Sequence, residues 1–234
     1  MTKNFVKPSL LILHGAIGAS SQLKAIAETQ SVHYEVHLFD FPGHGGKELP
    51  DKPFSIQLFS DAVLSYIQEN NLQQLTIFGY SMGGYVAMYL AKYHPEFINR
   101  IITLGTKFHW DEATASKEIK MLDAAAIVAK VPAFAAALEE MHAPNDWKEI
   151  LQRTANMLVE MGRDNPLKPE DYKEIKTPSL IMLGDRDRMV TLEETVTVYK
   201  SLPDAQMAML PATPHPVEQV DPALVSFLIE RGKV

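Results

Sequence analysis

The chain of 234 residues contains no cysteine. Disulfides, thiolate nucleophiles and cysteine-ligated metals are therefore excluded from its chemistry. Long apolar runs are missing too, and none approaches the roughly 20 residues that a membrane-spanning helix needs. Phe5 to Leu13 is too short, and too interrupted by Lys7-Pro8, to resemble a secretion signal. Positive charge is in deficit: 22 Lys and Arg against 29 Asp and Glu give a formal net charge of −7. That balance argues against nucleic acid or an anionic membrane as the main partner. Internal repeats and low-complexity segments are also lacking. What remains is ordinary globular composition, 46% hydrophobic and 22% charged, long enough for one sizeable domain or a domain with an insertion. The expectation is a cytoplasmic protein with no membrane insertion.

The most informative stretch is Leu72 to Leu90, LQQLTIFGYSMGGYVAMYL. A β-type run, Leu75 to Phe78, ends at Gly79-Tyr80-Ser81-Met82-Gly83, and a helix-forming run from Tyr85 follows without a loop. A strand that turns into a helix within one tight turn strains the residue at its apex. Side chains two before and two after would collide with the neighbouring strand and helix, so glycine is needed there. Ser81 is thereby held clear of the sheet at the positive end of a helix, which suits a nucleophile. A serine that merely caps the helix would leave the same local pattern. The rest of the chain has to supply a base, an acid and an oxyanion site.

Segments at Ser9 to Leu13, Tyr34 to Phe39, Leu75 to Phe78, Ile98 to Leu104, Ser179 to Gly184 and Gln206 to Leu210 read as strands, and the continuous apolar run Ser9 to Leu13 is that of a strand buried on both faces. Helical patterns fall between them, at about Ser21 to Thr29, Ile56 to Glu69, Tyr85 onward, Leu192 to Ser201 and Pro222 to Arg231. This rhythm predicts an α/β fold: a three-layer sandwich with a mostly parallel sheet of about six strands and helices on both faces. It breaks between about Lys107 and Glu170. There one helix is expected over Glu112 to Lys130, a short one over Ala133 to Met141, and a third from Asp146 to Gly162. Asp146 and Glu149 have capping-box spacing, and Trp147, Ile150, Leu151, Thr154, Leu158 and Met161 share one face of the third helix. The organisation expected is a core of 1–106 and 171–234 interrupted by an all-helical cap insertion at 107–170. An insertion there lies over the sheet edge where such folds bind ligands. Met121, Met141, Met157 and Met161 either line a pocket or belong to the insertion's own core.

Of eight histidines, His215 stands out. Thr213-Pro214-His215-Pro216 is an irregular loop after the last strand, and its prolines keep the histidine out of both flanking elements. Imidazole, with an ordinary pKa near 6.5, can take the proton of a serine at neutral pH. His14, beside Gly15, is better suited to shaping a loop. A carboxylate must orient the base, and Gly184-Asp185-Arg186-Asp187 offers two candidates just past a buried strand.

His14-Gly15, Asp40 to Gly45, Gly79 to Gly84, Gly184 to Asp187 and His215, in this order, resemble the α/β-hydrolase superfamily over essentially the whole chain. The resemblance implies Ser81 as nucleophile, His215 as base and Asp187, three past the glycine, as the acid in place of Asp185. It implies an oxyanion hole made by the backbone N–H groups of Ala16 and Met82. Ala16 departs from relatives with an aromatic residue there. The antiparallel strands that usually open the fold are expected to be absent.

A serine nucleophile sets aside the aspartate-dependent dehalogenases and epoxide hydrolases of the superfamily. The leading expectation is a serine hydrolase, a carboxylesterase acting on a small or medium acyl ester. Its partner is a small-molecule acyl substrate, with no cofactor and no metal. Ile17, Tyr80 and Trp110 are expected to contact substrate. Alternatives within the fold are a lyase similar to the succinyl-hydroxy-cyclohexadiene-carboxylate synthase of menaquinone biosynthesis, and a cofactor-free carbon–carbon hydrolase. The synthase class carries an arginine after the double glycine, where this chain has Tyr85. A non-catalytic ligand-binding member is the remaining alternative.

Overall fold

The six strands expected from the apolar runs all form, and all lie parallel. The computed structural model describes residues 7–232; Phe5 and Val6 of the Phe5 to Leu13 stretch lie outside the described residues. The strands are β1 (Ser9–Leu13), β2 (Glu35–Phe39), β3 (Leu75–Tyr80), β4 (Ile98–Leu104), β5 (Ser179–Gly184) and β6 (Ala205–Leu210), in the sheet order β2-β1-β3-β4-β5-β6. The connection reverses direction between β1 and β3. A crevice therefore opens beyond the C-terminal ends of those two strands, the position where open α/β sheets bind ligands.

Side chains alternate across the sheet and bury into two layers. Leu11, Leu13, Ile77 and Ile101 pack under α2 (Ile56–Glu69) and α3 (Met82–Tyr93), with Val198 of α8 (Leu192–Ser201) in the same cluster. Leu10, Ile12, Phe78 and Ile102 face α1 (Lys24–Gln30), which a 3-10 turn precedes, and α9 (Pro222–Arg231). The apolar face of α2 is buried at Phe59, Val63 and Ile67. No helix among the described residues is long and apolar enough to cross a membrane.

Between β4 and β5 the described chain holds helices and no strand. These are α4 (Glu112–Glu118), α5 (Ala124–Lys130), α6 (Pro132–His142) and α7 (Trp147–Arg163). The single helix expected over 112–130 is broken. Asp123 adopts an extended backbone and its carboxylate accepts the Ala126 N–H, which starts a new helix at α5. The capping box expected at Asp146 does not form either. Asp146 accepts the Lys148 N–H, and Glu149 instead pairs with Arg153 one turn on.

Gly162 is the penultimate residue of α7, one residue short of the helix end, and it lies where α7 crosses α4. A Cβ there would come 2.7 Å from the Ala115 Cβ and 2.8 Å from the Asp111 carbonyl oxygen. Gly162→Ala would raise helix propensity by about 1 kcal/mol. Overpacking against rigid neighbours costs about 1–3 kcal/mol and should win. Thermal unfolding is expected to show a lowered Tm, and an unchanged or raised Tm would refute the close crossing.

Candidate active site

Ser81 sits at the apex of the β3–α3 turn with φ 50° and ψ −116°, a conformation that L-residues hold only under constraint. The flanking glycines are explained by contact. A Cβ at Gly79 would lie 2.4 Å from the Gly84 backbone, and one at Gly83 would lie 2.4 Å from the Leu13 carbonyl oxygen. The Ser81 side chain makes no capping bond to α3, so its hydroxyl is not engaged by the helix. The turn is fixed through its backbone: Ser81 N–H donates to the Leu104 carbonyl at 2.9 Å, and the Thr106 hydroxyl donates to the Ser81 carbonyl at 3.1 Å.

Asp187 and His215 meet beside this turn, His215 Nδ1 lying 2.7 Å from Asp187 Oδ2. The carboxylate can only accept, so Nδ1 carries the proton and Nε2 is left as the basic nitrogen. Asp187 Oδ1 accepts the N–H groups of Met189 at 2.8 Å and Val190 at 2.9 Å. Burial acts to raise the Asp187 pKa and is the largest single influence. The His215 bond and charge and the two N–H donors together outweigh it, so the pKa lies below the usual value. Asp185 points elsewhere and accepts the Thr213 N–H at 3.2 Å, which shapes the loop leading into His215. The Tyr80 hydroxyl donates to the His215 carbonyl at 2.8 Å and braces that loop from the β3 side.

Gly105, just past β4, gives no sequence signal yet belongs here. Its φ is 58°, and a Cβ would lie 3.3 Å from both Asp187 Oδ2 and His215 Nδ1. Only a glycine combines that backbone with so close an approach to the pair.

Opposite Ser81, Gly15-Ala16-Ile17 forms the turn after β1, with Ile17 at φ 52°. Among the described residues, neither the Ala16 nor the Met82 N–H has a protein acceptor. Three buried imidazoles stand behind this turn. His14 Nδ1 donates to the Gly15 carbonyl while Nε2 accepts the Phe41 N–H. His44 Nδ1 lies 3.1 Å from the Pro42 carbonyl. His142, at the end of α6, accepts the Gly45 N–H at Nδ1 and donates from Nε2 to the Ile17 carbonyl at 3.0 Å. Sequence patterning singles out His14 and places His44 only within the Asp40 to Gly45 turn, and it misses His142, whose partners are 97 and 125 residues away. Burial is the main cause of lowered pKa in all three, and it brings His14 to about 4.

Ser81 and His215 line one cavity of about 360 Å³. Ile17, Tyr80 and Trp110 line it, and Met121, Met157 and Met161 form part of its apolar wall. Met141 is not among the lining residues. Tyr85 lines the cavity too, but its hydroxyl donates to Asn165 and accepts the Leu167 N–H at 2.9 Å. The Trp110 indole N–H donates to the Lys107 carbonyl.

A family model describing the alpha/beta hydrolase fold matches residues 8–123. Together with the six-stranded sheet and its turn at Ser81, this gives the chain the α/β-hydrolase fold. Over 89% of its length it is 25% identical to the pimeloyl-[acyl-carrier protein] methyl ester esterase of Chromobacterium violaceum, 87% of which is covered. It is also 23% identical over 94% of its length to a Synechocystis protein named as a non-heme chloroperoxidase, 90% of which is covered. A hydrolase structure from Pseudomonas aeruginosa superposes with a TM-score of 0.78 at 18% identity, over 97% of this chain and 89% of that one.

The buried imidazoles set an acid limit on stability. His14 has a folded pKa of about 4, below its ordinary 6.5, so the unfolded chain binds the proton more tightly. The stability from the neutral form is complete above pH 6.5 and drains away as pH falls toward about 4. His14 alone accounts for on the order of 3 kcal/mol over that range. Urea unfolding of wild type and His14→Gln at pH 7 and pH 4.5 checks this. The variant is expected to be less stable at pH 7 but to lose less on acidification, and parallel losses would refute it.

Proposed function

We propose that the protein is a carboxylesterase that cleaves small or medium acyl esters through an acyl-enzyme on Ser81. The observation that carries the reading is the 2.7 Å Asp187–His215 pair opening, together with the strained Ser81, into one apolar cavity. His215 Nε2 takes the hydroxyl proton as Ser81 Oγ attacks the ester carbonyl, and Asp187 holds the imidazole's tautomer and offsets its charge. The uncommitted N–H groups of Ala16 and Met82 receive the oxyanion, each worth roughly 2.7–4 kcal/mol in such sites. Collapse expels the alcohol, protonated by His215. Water then gives its proton to His215, attacks the acyl-enzyme and releases the acid as Ser81 Oγ recovers a proton. Helices α4 to α7, residues 107–170, act as a cap that walls off the acyl side of the cavity.

The ester named for the Chromobacterium relative supports this class of reaction without fixing the substrate. The lyase reading is disfavoured by Tyr85. It stands where that class has a substrate-binding arginine, and its hydroxyl is committed to Asn165 and Leu167.

A p-nitrophenyl ester panel of graded acyl length, with fluorophosphonate labelling, tests the proposal. Wild type is expected to turn over short and medium esters and to be labelled at Ser81. Ser81→Ala should lose roughly 10⁴-fold or more in kcat and all labelling. Asp187→Asn should lose about 10⁴-fold, whereas Asp185→Asn should stay within about tenfold, because Asp185 bonds only the loop behind His215. A folded wild type left unlabelled, or equal losses at the two aspartates, would overturn the assignment.

A further inference from the structure

We infer that the cavity selects esters whose acyl chain ends in an uncharged group, and that Glu118 turns away substrates carrying a second, free carboxylate. The inference rests on the ester-hydrolase reading above and deepens it.

Lys107 is the only cation among the residues lining the cavity, while Glu118 and Glu218 are its acids. An ammonium group has three N–H donors, and three acceptors surround this one. Lys107 Nζ donates to the Met189 carbonyl and lies 3.5 Å from Glu118 Oε1 and 3.8 Å from Glu194 Oε1. One N–H is thus bonded and the charge is already met by two carboxylates, so an incoming anion finds no unneutralised cation. The Glu118 and Glu194 side chains are 4% and 11% exposed, so two shielded carboxylates face one ammonium and the excess is negative. Tyr85, also on the wall, has its hydroxyl donor and acceptor already used.

Most of the remaining wall is apolar, including Ile17, Ile56, Leu122 and Leu158. A substrate carboxylate entering this space would lose its hydration and gain no cation, a cost that binding cannot recover. An uncharged chain meets no such barrier. Glu118 is the residue to change, since Glu194 also accepts the Thr191 N–H and so belongs to the start of α8. With glutamine at 118, Lys107 and Glu194 still balance each other.

The experiment compares three methyl esters of one six-carbon acyl chain, ending in a second methyl ester, a carboxamide or a carboxylate, at pH 8. For wild type, kcat/KM for the carboxylate is expected to fall about 100-fold or more below that for the carboxamide, which matches it in size and polarity but carries no charge. Glu118→Gln is expected to narrow this ratio about tenfold, and Glu139→Gln, an exposed acid on α6, to leave it in place. Wild type that cleaves carboxylate and carboxamide within about twofold of each other would overturn the selectivity. This comparison stands even if Glu118→Gln fails to fold. A folded Glu118→Gln with the wild-type ratio would overturn the role of Glu118. Failure to cleave any of the three, without labelling of Ser81, would overturn the ester reading and this inference with it.

Discussion

The site depends on one strained residue. Ser81 holds φ 50°, which costs on the order of 1–3 kcal/mol and persists only where the surroundings over-determine it. The determinants come from the neighbouring strand. Leu104 at the end of β4 takes the Ser81 N–H, and Thr106 two residues later holds the Ser81 carbonyl. The same segment then supplies Gly105 against the Asp187–His215 pair and Lys107 against the Met189 carbonyl. Three consecutive residues, 105 to 107, thus register the turn at Ser81 with the acid loop. Displacement of β4 would disturb every member of the proposed triad at once.

The helices between β4 and β5 are tied to this frame at both ends and in the middle. Lys107 links their start to Glu118 of α4 and Glu194 of α8. Tyr85 of α3 fixes their return through Asn165 and Leu167. His142 connects α6 to the Ile17 carbonyl and the Gly45 N–H. Each tie reaches a segment that also shapes the cavity floor. The walls therefore cannot shift as a block without disturbing the turn that carries the Ala16 N–H or the loop that carries Asp187.

The strands and most helices are legible in the sequence because each is set by a local pattern: apolar runs for doubly buried strands, one apolar face for helices. The residues alone leave Asp185 and Asp187 open, and only the family resemblance picks Asp187; Ser81 and His215 stand out for a related reason. Each lies on a short segment bounded by glycine or proline, where the backbone demand leaves a mark. The break at Asp123 is not legible, since the alanine-rich sequence around it favours helix and one side-chain bond overrides that preference. Gly162 marks a helix end in the sequence, but that it also serves a helix crossing shows only with α4 in place. Thr106, Lys107 and His142 are ordinary residues in sequence. Their meaning lies in partners 25, 82 and 125 residues away.

Charge is distributed around the cavity with a consistent logic. Behind the oxyanion turn the chain needs groups that both donate and accept, to cross-link three loops, yet an unpaired buried ion there would be costly. Neutral imidazole meets both demands at His14 and His142, while His44 bonds only the Pro42 carbonyl, and burial lowers the pKa of all three. Across the cavity Asp187 is buried and ionised. That is tolerable because the loop folds around it, giving two backbone N–H bonds on one oxygen and the His215 bond on the other. Asp185 accepts a single backbone N–H and faces Arg186 near the surface. The difference between the two aspartates is therefore one of loop geometry. Only the residue that can turn inward beneath Met189 and Val190 reaches the imidazole with its charge already stabilised.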